Sequence, residues 1–80
     1  MGWNYRVIRH AGQIPWMAIH ETFYDEDDQP YAFGEQAASI GWDEPEGTES
    51  ATEQLIKMRA ALSLPVLDAD DFAPANNAQS

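Results

Sequence analysis

The sequence predicts an α+β fold in which a three-stranded antiparallel sheet is followed by one amphipathic helix, in the order β-β-β-α. Three segments have the aromatic and β-branched alternation of strands, and a single stripe with helical spacing follows them. The chain of 80 residues suffices for one domain with a small core, because such domains bury only about 60% of their unfolded surface. We expect a single α+β domain over residues 1–68 and a flexible acidic and polar tail over residues 69–80.

The strands are predicted in order from the alternation of their side chains. Residues 3–10 and 15–24 are rich in aromatic and β-branched residues, which favour extended structure. A polar segment at 25–30 interrupts the pattern, and residues 31–37 resume it. The short connections between these segments indicate two hairpins.

One helix is predicted after an irregular connection over residues 38–49, which contains two glycines and a proline. Ser50 and Glu53 have the spacing of a capping box, in which both side chains accept hydrogen bonds from free backbone N–H groups. Pro65 disfavours helix at the residue before it. The apolar stripe has spacings of four, three and four positions and consists of Ala51, Leu55, Met58 and Leu62.

One helix can cover only one face of this sheet, and the sequence places aromatic residues on both. The second face would be an exposed apolar patch unless Trp42, the C-terminal segment or another protein covers it. We therefore expect either homodimerisation or the binding of a partner through the sheet face. The aromatic residues of that face are drawn from Trp3, Tyr5, Trp16 and Tyr24.

Charge is distributed unevenly along the chain. The formal net charge is −10, from fourteen acidic and four basic residues. Residues 1–20 contain two arginines and no carboxylate, whereas residues 21–56 contain eleven acids and no lysine or arginine. Direct nucleic-acid binding depends on cations that displace counterions, so this composition argues against it. The sequence also lacks the pattern of a membrane span or a secretory signal, which predicts a cytoplasmic protein.

The acidic hairpin has part of the pattern of a calcium loop. Asp25 and Asp27 have the spacing of the first two calcium ligands. However, Pro30 stands where such a loop needs glycine, and Gln36 stands where it needs a bidentate glutamate. The segment is therefore predicted to be a solvated turn.

Neither a zinc site nor a catalytic centre is predicted. His10, His20 and Glu21 are zinc-ligand types, but the chain has no cysteine, and the simplest hairpin register does not place the histidines opposite each other. We expect no metal, no other cofactor and no enzymatic activity. No nucleophile-elbow pattern surrounds Ser39, Ser50 or Ser63.

The acidic stretch is the remaining candidate for function. Its simplest interpretation is solubility, which a high net charge provides without any partner. The alternative is an anionic surface that approximates the charge density of a nucleic acid. Carboxylates two positions apart on a strand repeat at about 6.6 Å, and phosphates repeat at about 3.4 Å along each strand of a duplex. Such a surface would occupy the basic groove of a nucleic-acid-binding protein and exclude the nucleic acid. The expected partner-binding residues are Asp25, Glu26, Asp27, Asp28, Asp43, Glu44 and Glu46.

Four segments of the chain match a known pattern. They are 3–10 (Trp-Asn-Tyr-Arg-Val-Ile-Arg-His), 18–21 (Ala-Ile-His-Glu), 24–25 (Tyr-Asp) and 64–68 (Leu-Pro-Val-Leu-Asp). Through these segments, residues 3–68 resemble a family of small bacterial and prophage proteins. The resemblance departs in the hairpin after Asp25, where Asp27, Asp28 and Gln29 stand in place of an expected glycine.

In size, acidity and type, the protein also resembles anti-CRISPR inhibitors, including those of a type I-C system. That resemblance implies a non-enzymatic inhibitor that binds a CRISPR surveillance complex in the bacterial cytoplasm and blocks DNA capture.

A second resemblance concerns topology. The strand order and the Gly47-Thr48 entry to the helix are similar to HicB-like antitoxin domains. This similarity implies an alternative function, that of a small domain which binds its partner through the sheet face and the helix.

Overall fold

The computed structural model of the chain describes residues 2–72. Among these residues we find no helical stretch with the length and hydropathy of a membrane span. Two short 3-10 turns, Glu44–Glu46 and Ala69–Asp71, accompany the main elements. The main elements in chain order are β1 (Gly2–His10), β2 (Trp16–Tyr24), β3 (Pro30–Phe33), α1 (Glu49–Ala61) and β4 (Leu67–Asp68).

The sheet has the strand order β3-β2-β1-β4, with β1 in its interior. The antiparallel pairing of β1 and β2 runs from Gly2 opposite Tyr24 to His10 opposite Trp16, so the whole of both strands takes part. β3 pairs antiparallel with β2, whereas β4 pairs parallel with β1 through Ile8 opposite Leu67. The predicted α+β class and the three antiparallel strands are therefore confirmed, but the sheet is mixed and has four strands. β4 consists of two residues, too few to show alternation in the sequence.

The helix α1 begins two residues earlier than its predicted stripe. Thr48 is its N-cap, and no side chain caps the first turn. The predicted capping box of Ser50 and Glu53 is therefore wrong, because Ser50 already lies inside the helix. The helix ends at Ala61, before Pro65, as the sequence predicts.

One side of the sheet packs against α1. Tyr5 and Val7 of β1 form a buried cluster with Met58 and Ala61 of the helix, and Ile19 of β2 packs beside it. The predicted stripe is correct only at its centre. Leu55 and Leu62 are 52% and 67% exposed, since the narrow contact with β1 turns positions 58 and 61 inward instead.

The C-terminal segment packs on the other side of the sheet. Phe72 is 6% exposed, and its ring centroid lies 4.8 Å from that of Phe33 in an edge-to-face arrangement. Ile8 and Thr22, which point to this side, are fully buried. The second face is therefore covered in part by the chain itself, one of the three possibilities that the sequence left open. Residues 69–72, expected in the flexible tail, belong to the fold, while 73–80 lie outside the described residues.

Candidate functional site

The first group of predicted site residues forms the connection between β2 and β3. The Oδ1 atom of Asp25 accepts hydrogen bonds from the backbone N–H groups of Asp27 at 2.8 Å and Gln29 at 3.0 Å. Asp28 has a φ of 60°, a left-handed conformation that favours glycine, and it lies in the hairpin where the family resemblance leads us to expect a glycine. The carboxylate of Asp25 therefore shapes the turn, and the turn presents the exposed residues Glu26, Asp27 and Asp28.

The second group forms a 3-10 turn that precedes α1. Glu46 folds back so that its Oε1 atom accepts a hydrogen bond from the backbone N–H of Asp43 at 3.2 Å. Pro45 lies in the first turn, where a backbone N–H would have no acceptor within the turn, so the absence of an N–H in proline costs no hydrogen bond. Asp43, Glu44 and Glu46 are all exposed.

The two groups lie on separate connections of the fold. Residues 25–28 lie at the end of the sheet where Gly2 pairs with Tyr24. The chain after β3 runs back along β2, where the backbone N–H of Ala38 donates to the carbonyl of Ile19, before it reaches residues 43–46. The structure therefore does not assemble the seven predicted residues into one contact network. It presents them on two separate segments, residues 25–28 and residues 43–46, which we call the acidic connections.

The two arginines of β1 bond to groups outside the acidic connections. Arg9 donates from a guanidinium nitrogen to the carboxylate of Asp68 at 3.3 Å, which joins β1 to β4. Lys57 and Arg59 are exposed on α1. Of the eleven acids between residues 21 and 56, ten are exposed and Asp25 is partly buried.

Arg6 is a buried cation on the side of the sheet that carries Phe72. One guanidinium nitrogen donates to the hydroxyl of Tyr24 at 2.9 Å, and another donates to the carbonyl of Pro65 at 2.7 Å. Tyr24 in turn donates to the side-chain oxygen of Asn4 at 2.8 Å. Within residues 2–72, the Nε atom of Arg6 has no hydrogen-bond partner. Arg6 thus joins β1 to β2 and to the segment that leads into β4.

The two histidines form a contact that sequence reasoning missed. The Nε2 atoms of His10 and His20 lie 2.9 Å apart, and Nδ1 of His20 lies 2.8 Å from the carbonyl oxygen of Gly34. Because a carbonyl only accepts, His20 donates from Nδ1 and accepts at Nε2 from His10. The two are not opposite in the register, as predicted, but both lie on one face with the small side chain of Ala18 between them. Even-numbered residues of β1 pair with even-numbered residues of β2, so the sequence positions of His10 and His20 could have placed them on the same face.

Aromatic rings enclose the histidine pair. The ring of His10 stacks on that of Trp16 with centroids 4.1 Å apart, and Phe33 lies edge-on to both histidines. Burial, together with the neighbouring His20, lowers the pKa of His10 below its ordinary value. His20 is 1% exposed. The pair is therefore closed off from solvent on the His20 side.

Residues 2–72 contain no group of side chains that could form a metal centre. In the part of the chain that the structure describes, no three histidine, cysteine or carboxylate side chains converge to hold a metal ion. The zinc-ligand types His10 and His20 bond to each other, and Glu21 is exposed on the opposite side of β2 from His20.

Searches against protein-family models, curated proteins and solved structures returned no match to this chain. The resemblances to anti-CRISPR proteins and to HicB-like antitoxin domains therefore stay predictions.

Proposed function

We propose that this protein is a non-enzymatic inhibitor of the anti-CRISPR kind. Its acidic connections bind a basic, nucleic-acid-binding surface of a CRISPR effector complex and block DNA capture. The observation that carries the proposal is the run of eleven acids without a lysine or arginine between residues 21 and 56, ten of them exposed. A surface of this kind attracts a basic groove over a long range and raises the rate of association.

The structure supports a division of roles among five of the seven predicted residues. Asp25 and Glu46 use their carboxylates to hold the two connections in shape. Glu26, Asp27 and Glu44 are exposed, and no hydrogen bond of the described structure engages their carboxylates. We therefore assign partner contact to these three side chains and a supporting role to the other two.

The alternative of a HicB-like domain receives no specific support. It requires a sheet face that is open to a partner, and Phe72 occupies part of the face that α1 leaves uncovered. The acidic connections also have no role in that mode of binding.

Binding to a purified type I-C effector complex, measured by pull-down at rising salt, tests the proposal. The variant Glu26→Gln/Asp27→Asn/Glu44→Gln removes three exposed charges without disturbing the hydrogen bonds that shape either connection. We expect this variant to bind more weakly than the parent protein and to show a smaller dependence of binding on salt, because fewer charge contacts are screened.

The matched control is Glu21→Gln/Glu35→Gln/Glu53→Gln, which removes the same charge from three exposed residues outside residues 25–28 and 43–46. We expect this control to retain most of the binding. Absence of binding by the parent protein at low salt contradicts the proposed function. An equal loss in the two triple variants contradicts the assignment of the contact residues.

A further inference from the structure

The outer edge of β1 is only half covered. β4 pairs with β1 at Ile8 and Arg9 alone, and Arg6 holds the carbonyl of Pro65 just before that pairing. Over Gly2–Tyr5, β1 pairs with β2 on its inner side, and in the described part of the chain no strand lies on its outer side. The backbone N–H and C=O groups that point outward there are available to another strand.

The opposite edge of the sheet carries features that disfavour such pairing. β3 begins with Pro30, which cannot donate to a neighbouring strand, and the register shifts between Phe23 and Tyr24 in the adjoining strand. The exposed part of β1 has no proline, no charged side chain and no bulge between Gly2 and Tyr5. The two edges of one sheet therefore differ in their readiness to accept a strand.

A groove lies beside this open edge. It has a volume of about 350 Å³ and is bounded by the exposed edge of β1 and the last turns of α1. The rings of Trp3 and Tyr5 meet edge-to-face with centroids 5.2 Å apart, and Trp3 is half exposed. The lining residues are Trp3, Asn4, Tyr5, Lys57 and Ala60.

Lys57 makes the charge of this groove opposite to that of the protein as a whole. Its side chain is the charged group in the groove lining, and residues 2–20 contain no carboxylate. A ligand that enters the groove therefore meets aromatic rings, an open strand edge and one ammonium group. This combination suits an extended peptide that places an apolar side chain against Trp3 and a carboxylate opposite Lys57.

We propose that the exposed edge of β1 over Gly2–Tyr5 is a docking site for an extended segment of a partner protein, which adds a strand beside β1 and carries one carboxylate to Lys57. A second copy of this chain fits less well. Pairing of β1 with β1 about a two-fold axis would bring two Lys57 ammonium groups and two chains of charge −10 together, without a carboxylate in either β1 to offset them. The site is independent of the acidic connections and does not rest on the proposed function.

The test is a titration of the 15N-labelled protein with the synthetic peptide acetyl-Thr-Val-Glu-Val-Thr-amide, followed by NMR. We expect the amide signals of Trp3, Asn4 and Tyr5 and the indole N–H of Trp3 to shift with millimolar affinity. Two control peptides separate the contributions. Replacing glutamate with glutamine weakens binding about two- to fivefold, and replacing the second valine with proline abolishes it, because the backbone donor is lost.

Two protein variants complete the test. Lys57→Gln weakens binding of the glutamate peptide about two- to fivefold, whereas the control Arg59→Gln, at a residue that is also exposed on α1, leaves it unchanged. Unshifted signals away from β1 show that each variant is folded.

Four outcomes overturn the proposal. The first two are shifts confined to β3 and equal binding of the proline peptide. The third is equal shifts with sodium benzoate, which would indicate a pocket for small carboxylates. The fourth is a shift of the β1 edge when the protein alone is concentrated, which would indicate self-association.

Discussion

The Nε2 atoms of His10 and His20 lie 2.9 Å apart and share one hydrogen. Because His20 donates from Nδ1 to the carbonyl of Gly34, the shared hydrogen belongs to His10. Burial, together with the neighbouring His20, lowers the pKa of His10. The fold therefore favours a neutral His10, and its stability is sensitive to mild acid.

The first prediction concerns this pH dependence. The pKa of His10 is lowered from its ordinary value of 6.5, so the unfolded chain binds the proton more tightly than the folded chain. The free energy of unfolding is consequently retained above that value and decreases as the pH falls below it. Urea unfolding between about pH 7.5 and about pH 5.5 measures the effect. In the His10→Gln variant, which still donates to His20 but does not titrate, the decrease is smaller; an identical pH profile would exclude this role for His10.

The second prediction concerns the boundary of the domain. Phe72 is buried against Phe33, so Phe72→Ala lowers the free energy of unfolding by about 3 kcal/mol. Phe72→Leu retains most of the buried volume and costs less. The control Val66→Ala, at a half-exposed residue of the preceding segment, changes stability by about 0.5 kcal/mol or less. If thermal and urea unfolding of Phe72→Ala matched the parent protein, the fold would end before residue 69.

The third prediction compares the loss of stability when one methylene group is removed from a buried isoleucine and from an exposed one. Ile8 is fully buried in β1, and Ile14 is 82% exposed in the turn that follows. Ile8→Val lowers the free energy of unfolding by about 1 kcal/mol because it leaves a small cavity. Ile14→Val leaves stability within about 0.5 kcal/mol of the parent value. Equal effects in urea unfolding would contradict the placement of β1 in the interior of the sheet.

The fourth prediction separates the structural use of Asp25 from its charge. Asp25→Ala removes the acceptor of two backbone hydrogen bonds in the turn and lowers the free energy of unfolding by about 1 kcal/mol. Asp25→Asn removes the same charge but keeps an oxygen acceptor, so it retains most of the stability. A similar loss in both variants would show that the charge of Asp25, and not its hydrogen bonds, stabilises the turn.

The strands that pair locally could be predicted from the sequence. β1 and β2 alternate over nine residues each, and a polar turn separates β2 from β3, so hydrophobic periodicity and turn chemistry sufficed. β4 could not be found in this way. Its two residues acquire strand structure from pairing with Ile8 and Arg9, a contact between parts of the chain that are distant in sequence.

The side of α1 that faces the sheet could not be predicted from the sequence either. Leu55, Leu62 and Ala61 are all compatible with a buried stripe, and only the position of Tyr5 and Val7 on β1 decides that Ala61 is inside. The acidic connections were located correctly because runs of carboxylates interrupt the periodic segments. The hydrogen bonds that distinguish Asp25 and Glu46 from their neighbours depend on turn geometry and could not be inferred from composition.

The parallel pairing of β1 with β4 has a consequence for folding kinetics. Ile8 and Leu67 are partners although they lie 59 positions apart in the chain, the same separation as that of Arg6 and Pro65, which bond beside them. Closing so long a loop has a large entropic cost, whereas β1, β2 and β3 can associate through short connections. We therefore expect an early three-stranded intermediate in which both edges of the sheet are open, and a slow final step in which residues 65–72 close over β1. During that interval the net charge of −10 opposes association between chains and so protects the intermediate against aggregation.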